Sequence, residues 1–327
     1  MRTRDLGPFT VSSIGYGCMS LSHAYGTPPD RETAIRCLEL ALDVGHTFLD
    51  TAALYGFGHN ETLVGEVLSH RRGEFTLASK CGIIRNEAGQ REINGRPDKI
   101  KQTCEDSLTR LKTDFIDLYY LHRWDKRVPI EESVGALSDL VAEGKIRTIG
   151  LSEVSGATLR KAHEVHPITA VQNEYSPWTR NPEISLLDAC RELDVALVAF
   201  SPVGRGFLAG GVRDMADLPP TDIRQNMPRF QGENFQANLK LLAAFEALAR
   251  EAGLTPAQLS IAWTLHQGDD VIPIPGTQSP AHLEENSASD VDLEDDFLDR
   301  IDALFANNAV HGARYNENTQ KEIDTEA

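Results

Sequence analysis

The chain lacks the marks of several large protein classes. Its five cysteines stand alone at 18, 37, 81, 104 and 190, an odd number without a C-x-x-C pair. That argues against a disulfide framework and a thiolate zinc site, and points to a reducing compartment, here the cytoplasm. No stretch approaches the ~20 apolar residues of a membrane helix. The uncharged stretch 6–29 is rich in Gly, Ser and Pro instead. Arg2, Arg4 and Asp5 are followed by Gly7-Pro8 and no apolar run, so no secretory leader is expected. Basic residues are scarce: 32 Lys and Arg against 49 Asp and Glu, a formal net charge of −17. Such a field repels nucleic acid and anionic membrane, so neither is expected as a partner. A small anionic ligand is still allowed, because a local pocket can oppose the global sign.

What is present is ordinary for a folded protein: 327 residues, 41% hydrophobic and 25% charged. Short apolar runs recur at 48–50, 75–80, 115–121, 146–151, 168–172, 195–200 and 271–274, after a Gly-rich run at 13–19. Helical periodicity fills the gaps, as at 33–42 and 129–143, where Glu131 and Glu132 lie in the first turn favoured by the helix dipole. Eight strand-like runs, each followed by a helix-like segment, predict an α/β fold of the (β/α)8 TIM-barrel type. The expected unit is one domain over 1–327, with its core at 13–290. An N-terminal hairpin at 2–11, a long loop at 203–235 after strand seven, and a helix at 295–306 followed by a polar tail decorate it. A doubly wound open sheet is the alternative. It usually carries G-x-G-x-x-G after its first strand, but the chain has Gly15-Tyr16-Gly17-Cys18-Met19-Ser20 there.

Barrel chemistry belongs at the C-terminal ends of strands. Strand two ends in Asp50, with Tyr55 five residues on; strand three ends in Lys80; strand four ends in His122. Each has a structural reading alone: a helix cap, a packed aromatic, a solvated charge, a hydrogen-bonded imidazole. Their coincidence on three consecutive strand ends points to a reactive site.

Asp50-Thr51-Ala52-x-x-Tyr55, Ser79-Lys80, Tyr120-Leu121-His122, Ser201-Pro202 and Ile274-Pro275-Gly276-Thr277 resemble the aldo-keto reductases over about residues 2–315. The stretch 226–235 resembles their auxin-induced and pyridoxal-reductase-like branch. The resemblance implies carbonyl reduction with a nicotinamide cofactor, NADP(H) in preference to NAD(H), on a small carbonyl or alcohol substrate. Reduction needs a hydride, which no side chain supplies. Tyr55 would donate the proton, Lys80 would lower the pKa of that phenol, Asp50 would hold Lys80, and His122 would orient the substrate oxygen. In alcohol oxidation Tyr55 becomes the base.

The resemblance also implies the cofactor contacts. Ser152 and Gln172 would take the carboxamide, and Phe200 would stack on the nicotinamide. Ser201, Pro202, Val203, Gly204, Gly206 and Leu208 would wrap the pyrophosphate. Glu285 and Asn286 would meet the adenine, while Cys18, Met19 and Asp50 border the nicotinamide. Two departures stand out. Glu153 occupies a place where many relatives have Asn. The run 276–282 offers Gln278, Ser279 and His282 where many relatives place a Lys or Arg for the 2′-phosphate.

Trp124 and Trp178, with Met19, Leu21 and Tyr25, are candidates for the substrate pocket. His163 and His166 have metal-ligand spacing on a helix but no third partner, so a solvated helix is expected and no metal. Cys81, next to Lys80 on an alternating strand, is expected in the core. Two rival readings are a cofactor-binding regulatory subunit, as in potassium-channel β-subunits, and an NAD-linked dehydrogenase of a sugar, vitamin or secondary-metabolite alcohol. Oligomeric state is not legible.

Overall fold

A computed structural model of the protein describes residues 1–22, 24–306 and 309–325. Eight strands run parallel in chain order: Tyr16–Gly17, Phe48–Asp50, Thr76–Cys81, Ile116–Leu121, Ile146–Ser152, Ile168–Glu174, Ala196–Phe200 and Val271–Ile274. A parallel bridge between Gly17 and Gly276 joins the first strand to the end of the last. This is the expected (β/α)8 barrel. Each strand is followed by at least one helix, from Arg31–Asp43 after the first to Pro280–Ser287 after the eighth.

Period-2 alternation sorts the strand residues into two cores. Leu49, Leu77, Tyr119, Leu151, Val171 and Leu197 face outward into a large cluster shared with the helices. Phe48, Ala78, Leu118, Tyr120, Ala170, Val198, Ile272 and Ile274 fill the interior. Gly150 is required there, because a Cβ would overlap the Tyr120 ring. The hairpin Thr3–Leu6 with Phe9–Ser12 turns at Gly7, whose φ is +58°, and seals the N-terminal end with Leu6 and Val11. Arg4 fixes it, donating to the carbonyls of Gly268 at 2.7 Å and Leu265 at 2.6 Å. With that end closed and apolar, polar side chains reach solvent only at the other mouth.

Local sequence explains the helix starts. Asp30 caps Arg31–Asp43 by accepting from the Thr33 N–H at 2.8 Å. Thr255 and Gln258 form a reciprocal capping box before Pro256–Leu265. The Gly-rich 13–19 run yields only two strand residues and then a 3-10 turn, Cys18–Leu21. An antiparallel ribbon, Ile83–Arg85 with Arg91–Ile93, extends strand three and was not expected. The loop after strand seven runs through short 3-10 turns until Gly232–Glu251 begins.

The C-terminal segment differs from the expected polar tail. Helix Asp295–Phe305 is as anticipated, but Arg314, Tyr315, Ile323 and Thr325 beyond it are buried. They dock over the ends of strands five and six. Arg314, Asp324 and Thr325 in this segment are polar groups matched to buried partners.

Candidate active site

The same alternation that builds the inner core carries Asp50, Lys80, His122, Ser152 and Gln172 to its top layer, one residue set above the apolar plug. All five are buried. Lys80 Nζ makes an ion pair with Asp50 Oδ1 and donates to the Thr51 carbonyl at 2.8 Å and to the Tyr55 hydroxyl at 3.1 Å. Its three donors are therefore all taken. Gln172 Nε2 donates to the other Asp50 oxygen at 2.7 Å. The Tyr55 and His122 rings meet edge to face, with centroids 5.9 Å apart.

Tyr55 stands on a loop with three consecutive positive-φ residues after it, Gly56, Phe57 and Gly58. Thr51 Oγ donates to Asn60 Oδ1 at 2.6 Å, and Asn60 Nδ2 donates to the Cys18 carbonyl at 2.9 Å. These bonds tie the loop to the first strand and hold the phenol over Lys80.

Burial and charge compete at each group. Burial raises the Tyr55 phenol above its ordinary 10, and the pull of Lys80 does not reverse this. Lys80 acts to lower the phenol pKa, as expected, but the net shift is upward, because desolvation of a phenolate outweighs one ammonium that is itself neutralised by Asp50. Burial lowers Lys80, but Asp50 and Tyr55 raise it further, so it stays charged. His122 is pushed well below 6.5 by burial, then by Arg123 and Lys80. It is a neutral imidazole, and its buried Nδ1 has no partner.

The residues expected to hold a cofactor take the following positions. Ser152 and Gln172 are neighbours on strands five and six, in register. Phe200 is half-buried at the end of strand seven. Ser201, Gly204, Arg205 and Gly206 all have positive φ, a tight coil after that strand with Pro202 and Val203 inside it. The N–H groups of Gly204, Gly206 and Leu208 bond to carbonyls within the coil, at 2.9, 3.1 and 3.2 Å. Leu208 is fully buried in the outer core. Gln278 Oε1 is buried without a partner beside the helix capped by Ser279, and His282 is exposed in its first turn. Glu285 accepts from the Thr255 hydroxyl at 2.5 Å, and Asn286 is buried. Met19 is half-buried; Cys18 is buried, with its thiol raised by burial and then by Asp50.

Glu153 is not offered to this space. It has φ +58° and accepts both terminal nitrogens of Arg314, at 2.8 and 2.5 Å. Among residues with a side chain, Asn is one that tolerates that backbone well; Glu is held in it by the bidentate pair. Beside it, Glu174 accepts from Arg205 at 2.5 Å and from Arg314 at 3.3 Å, and Tyr315 accepts from Arg205 at 2.8 Å. These buried pairs tie strand ends, the strand-seven coil and the C-terminal segment together. Sequence reading missed them because the partners stand far apart in the chain.

The other candidates separate. Trp124 is half-buried and donates to the Val128 carbonyl at 2.9 Å. Trp178 is buried, stacked on Phe207 at 4.2 Å and edge-on to Phe230, so it packs the core. Leu21 is buried, and Tyr25 accepts from Arg205 at 3.2 Å. His163 accepts from the Ile168 N–H at 3.2 Å. Among the described residues no group of three His, Cys, Asp or Glu is placed to hold a metal. Cys81 lies in the outer core as expected. None of the described helices is long and apolar enough to cross a membrane.

A profile of the aldo/keto reductase family matches residues 13–306. An NADP(+) aldo-keto reductase of Schizosaccharomyces pombe is 46% identical over 96% of this chain and 94% of its own. A probable aldo-keto reductase of Glycine max is 44% identical over 94% and 89%. Among solved structures, a glycerol dehydrogenase from Gluconobacter oxydans superposes with TM-score 0.84 at 29% identity, covering 95% of this chain and 97% of that one. An aldo/keto reductase from Klebsiella pneumoniae, solved with NADP and acetate, gives 0.72 at 28% identity over 96% and 98%.

Proposed function

Since the chain belongs to the aldo/keto reductase family, and is an oxidoreductase interconverting carbonyls and alcohols with a nicotinamide cofactor, we propose that NADP(H) is that cofactor and that Asp50, Tyr55, Lys80 and His122 form its catalytic group. The observation that carries the assignment is the bond from Lys80 to the Tyr55 hydroxyl oxygen. It fills an acceptor lone pair of the phenol and leaves the phenolic proton to be donated elsewhere. Asp50 keeps Lys80 charged and aimed. Neutral His122 is the second contact for the substrate oxygen.

The residues fit a dinucleotide. Gln278 Oε1 is a buried acceptor without a partner, which a ribose hydroxyl or the adenine amino group would satisfy. When bound, the cofactor supplies the hydride. Ser152 and Gln172 would bind the carboxamide, and Phe200 would stack on the nicotinamide. The coil 201–208 and helix Pro280–Ser287 hold the phosphates, the latter through Ser279, Gln278 and His282. The relative from S. pombe carries NADP(+) in its name, which supports NADP(H) here despite the missing Lys or Arg. We place the enzyme in the cytoplasm, supported by five free, buried cysteines.

The test is spectrophotometric. NADPH is to be consumed in the presence of small aldehydes, and more efficiently than NADH. No consumption with any aldehyde, and no oxidation of the matching alcohols, overturns the reading.

A further inference from the structure

Arg123 directly follows His122 and is 9% exposed. A guanidinium keeps its charge in proteins and offers five donors. Arg123 donates from one terminal nitrogen to the His122 carbonyl at 2.6 Å and to Ser152 Oγ at 3.3 Å. Its Nε is buried and bonded to nothing. Every other buried Asp, Glu, Lys or Arg side chain among the described residues has an ion-pair partner. Arg123 has none.

The imbalance lies at the barrel mouth. Three buried carboxylates there, Asp50, Glu153 and Glu174, face four buried cations, Lys80, Arg123, Arg205 and Arg314. The first three pairs close among themselves, and Arg123 is left over. Glu153 feels its field but is committed to Arg314. A desolvated, unpaired cation is costly, and the cost falls when a ligand supplies the anion. Arg123 is bonded to the ends of strands four and five, the strands that carry His122 and Ser152. In a chain of net charge −17 this is a local site of the opposite sign.

We propose that Arg123 is a specificity residue that binds an acidic group of the substrate, so that the enzyme favours carbonyl compounds bearing a carboxylate. This rests on the catalytic reading above. The carbonyl oxygen goes to Tyr55 and His122, and the acid function goes to the strand-five side. The cofactor carboxamide is neutral. It can accept a bond from Arg123 but cannot balance its charge.

The experiment compares 4-formylbenzoate with 4-methylbenzaldehyde as substrates, with NADPH, in wild type, Arg123→Gln and Arg123→Lys. Wild type is expected to favour the acid in kcat/KM by at least about tenfold, the low end for a hydrogen-bonded charge. Arg123→Gln is to cut that ratio about tenfold or more, and Arg123→Lys is to keep part of it. A loss common to both aldehydes cancels in the ratio. A wild-type ratio near or below one overturns the proposal, as does a ratio unmoved by Arg123→Gln, whatever the Kd for NADPH. Benzoate against benzamide binding to the enzyme with NADP+, followed by tryptophan fluorescence, decides the matter without turnover. If neither aldehyde is reduced, tighter binding of benzoate that Arg123→Lys retains still establishes the anion site, and the catalytic reading is decided separately by the wider aldehyde and alcohol assay. Equal binding of the two overturns it.

Discussion

The Lys80 ammonium lies 3.1 Å from the Tyr55 hydroxyl oxygen and gives its remaining donors to Asp50 and to the Thr51 carbonyl. The phenol is thus an acceptor toward Lys80 and a donor only toward the open side. Tyr55→Phe removes the transferable proton and little volume. NADPH binding, measured by fluorescence titration, is expected to stay within a few-fold of wild type, while kcat for aldehyde reduction falls about 10²- to 10⁴-fold. A kcat near wild type would remove Tyr55 from the role of acid.

The 2′-phosphate assignment makes its own demand. His282 is exposed in the first turn of the helix capped by Ser279. Reversing the local charge with His282→Asp sets a carboxylate against the phosphate. The ratio of kcat/KM for NADPH over NADH is expected to fall about tenfold, the equivalent of ~1.4 kcal/mol. An unchanged ratio would place the phosphate elsewhere.

The barrel and the clustering of Asp50, Lys80 and His122 were legible in the sequence for one reason. Alternating apolar runs give strand phase, and phase puts Asp50, Lys80 and His122 on the inner face at strand ends. Arg123 was passed over because it breaks that phase by a single residue after His122. The C-terminal lock was not legible either. Arg314 pairs with Glu153 and Glu174 across 161 and 140 positions, and no local periodicity records such pairs. Trp178 was ambiguous because an aromatic after a strand serves a pocket or a core equally well. Its stack on Phe207 decides for the core.

His46 gives the fold a pH dependence. It is buried, with Nδ1 2.8 Å from the Ile14 carbonyl and Nε2 2.9 Å from the Ser287 hydroxyl, bridging the first and last βα units. Burial lowers its pKa from 6.5 to about 4. The unfolded chain therefore takes up the proton first as pH falls. Stability is expected to decline by up to about 3 kcal/mol between pH 6.5 and 4. Guanidinium unfolding at pH 7, 5.5 and 4.5 checks this, and His46→Asn is to flatten the slope. An equally steep slope in the variant would assign the dependence to other groups.

The Glu153–Arg314 pair supplies a second, lower window of opposite origin. Burial acts to raise the Glu153 carboxyl, but Arg314 and then Arg123 hold it at about 2, below its ordinary 4.5. A depressed carboxylate stabilises the fold fully above 4.5 and loses that contribution as pH falls toward 2. Glu153→Asn suits the φ of +58° and removes the charge. It removes the bidentate partner of Arg314 and leaves the longer bond to Glu174 at 3.3 Å. Breaking one side of a buried pair costs about 3–5 kcal/mol, so the variant is expected to unfold at lower denaturant at pH 7 and to lose the pH 4.5–2 component. Because Thr325 and Arg314 are both anchored on Glu153, limited proteolysis is expected to cut 309–325 first in the variant. Adding Arg314→Met removes the stranded cation and is to recover part of the loss in unfolding free energy while leaving the segment cleavable. A variant as stable and as protease-resistant as wild type would show that the segment is held by Tyr315 and Ile323 packing instead of by charge.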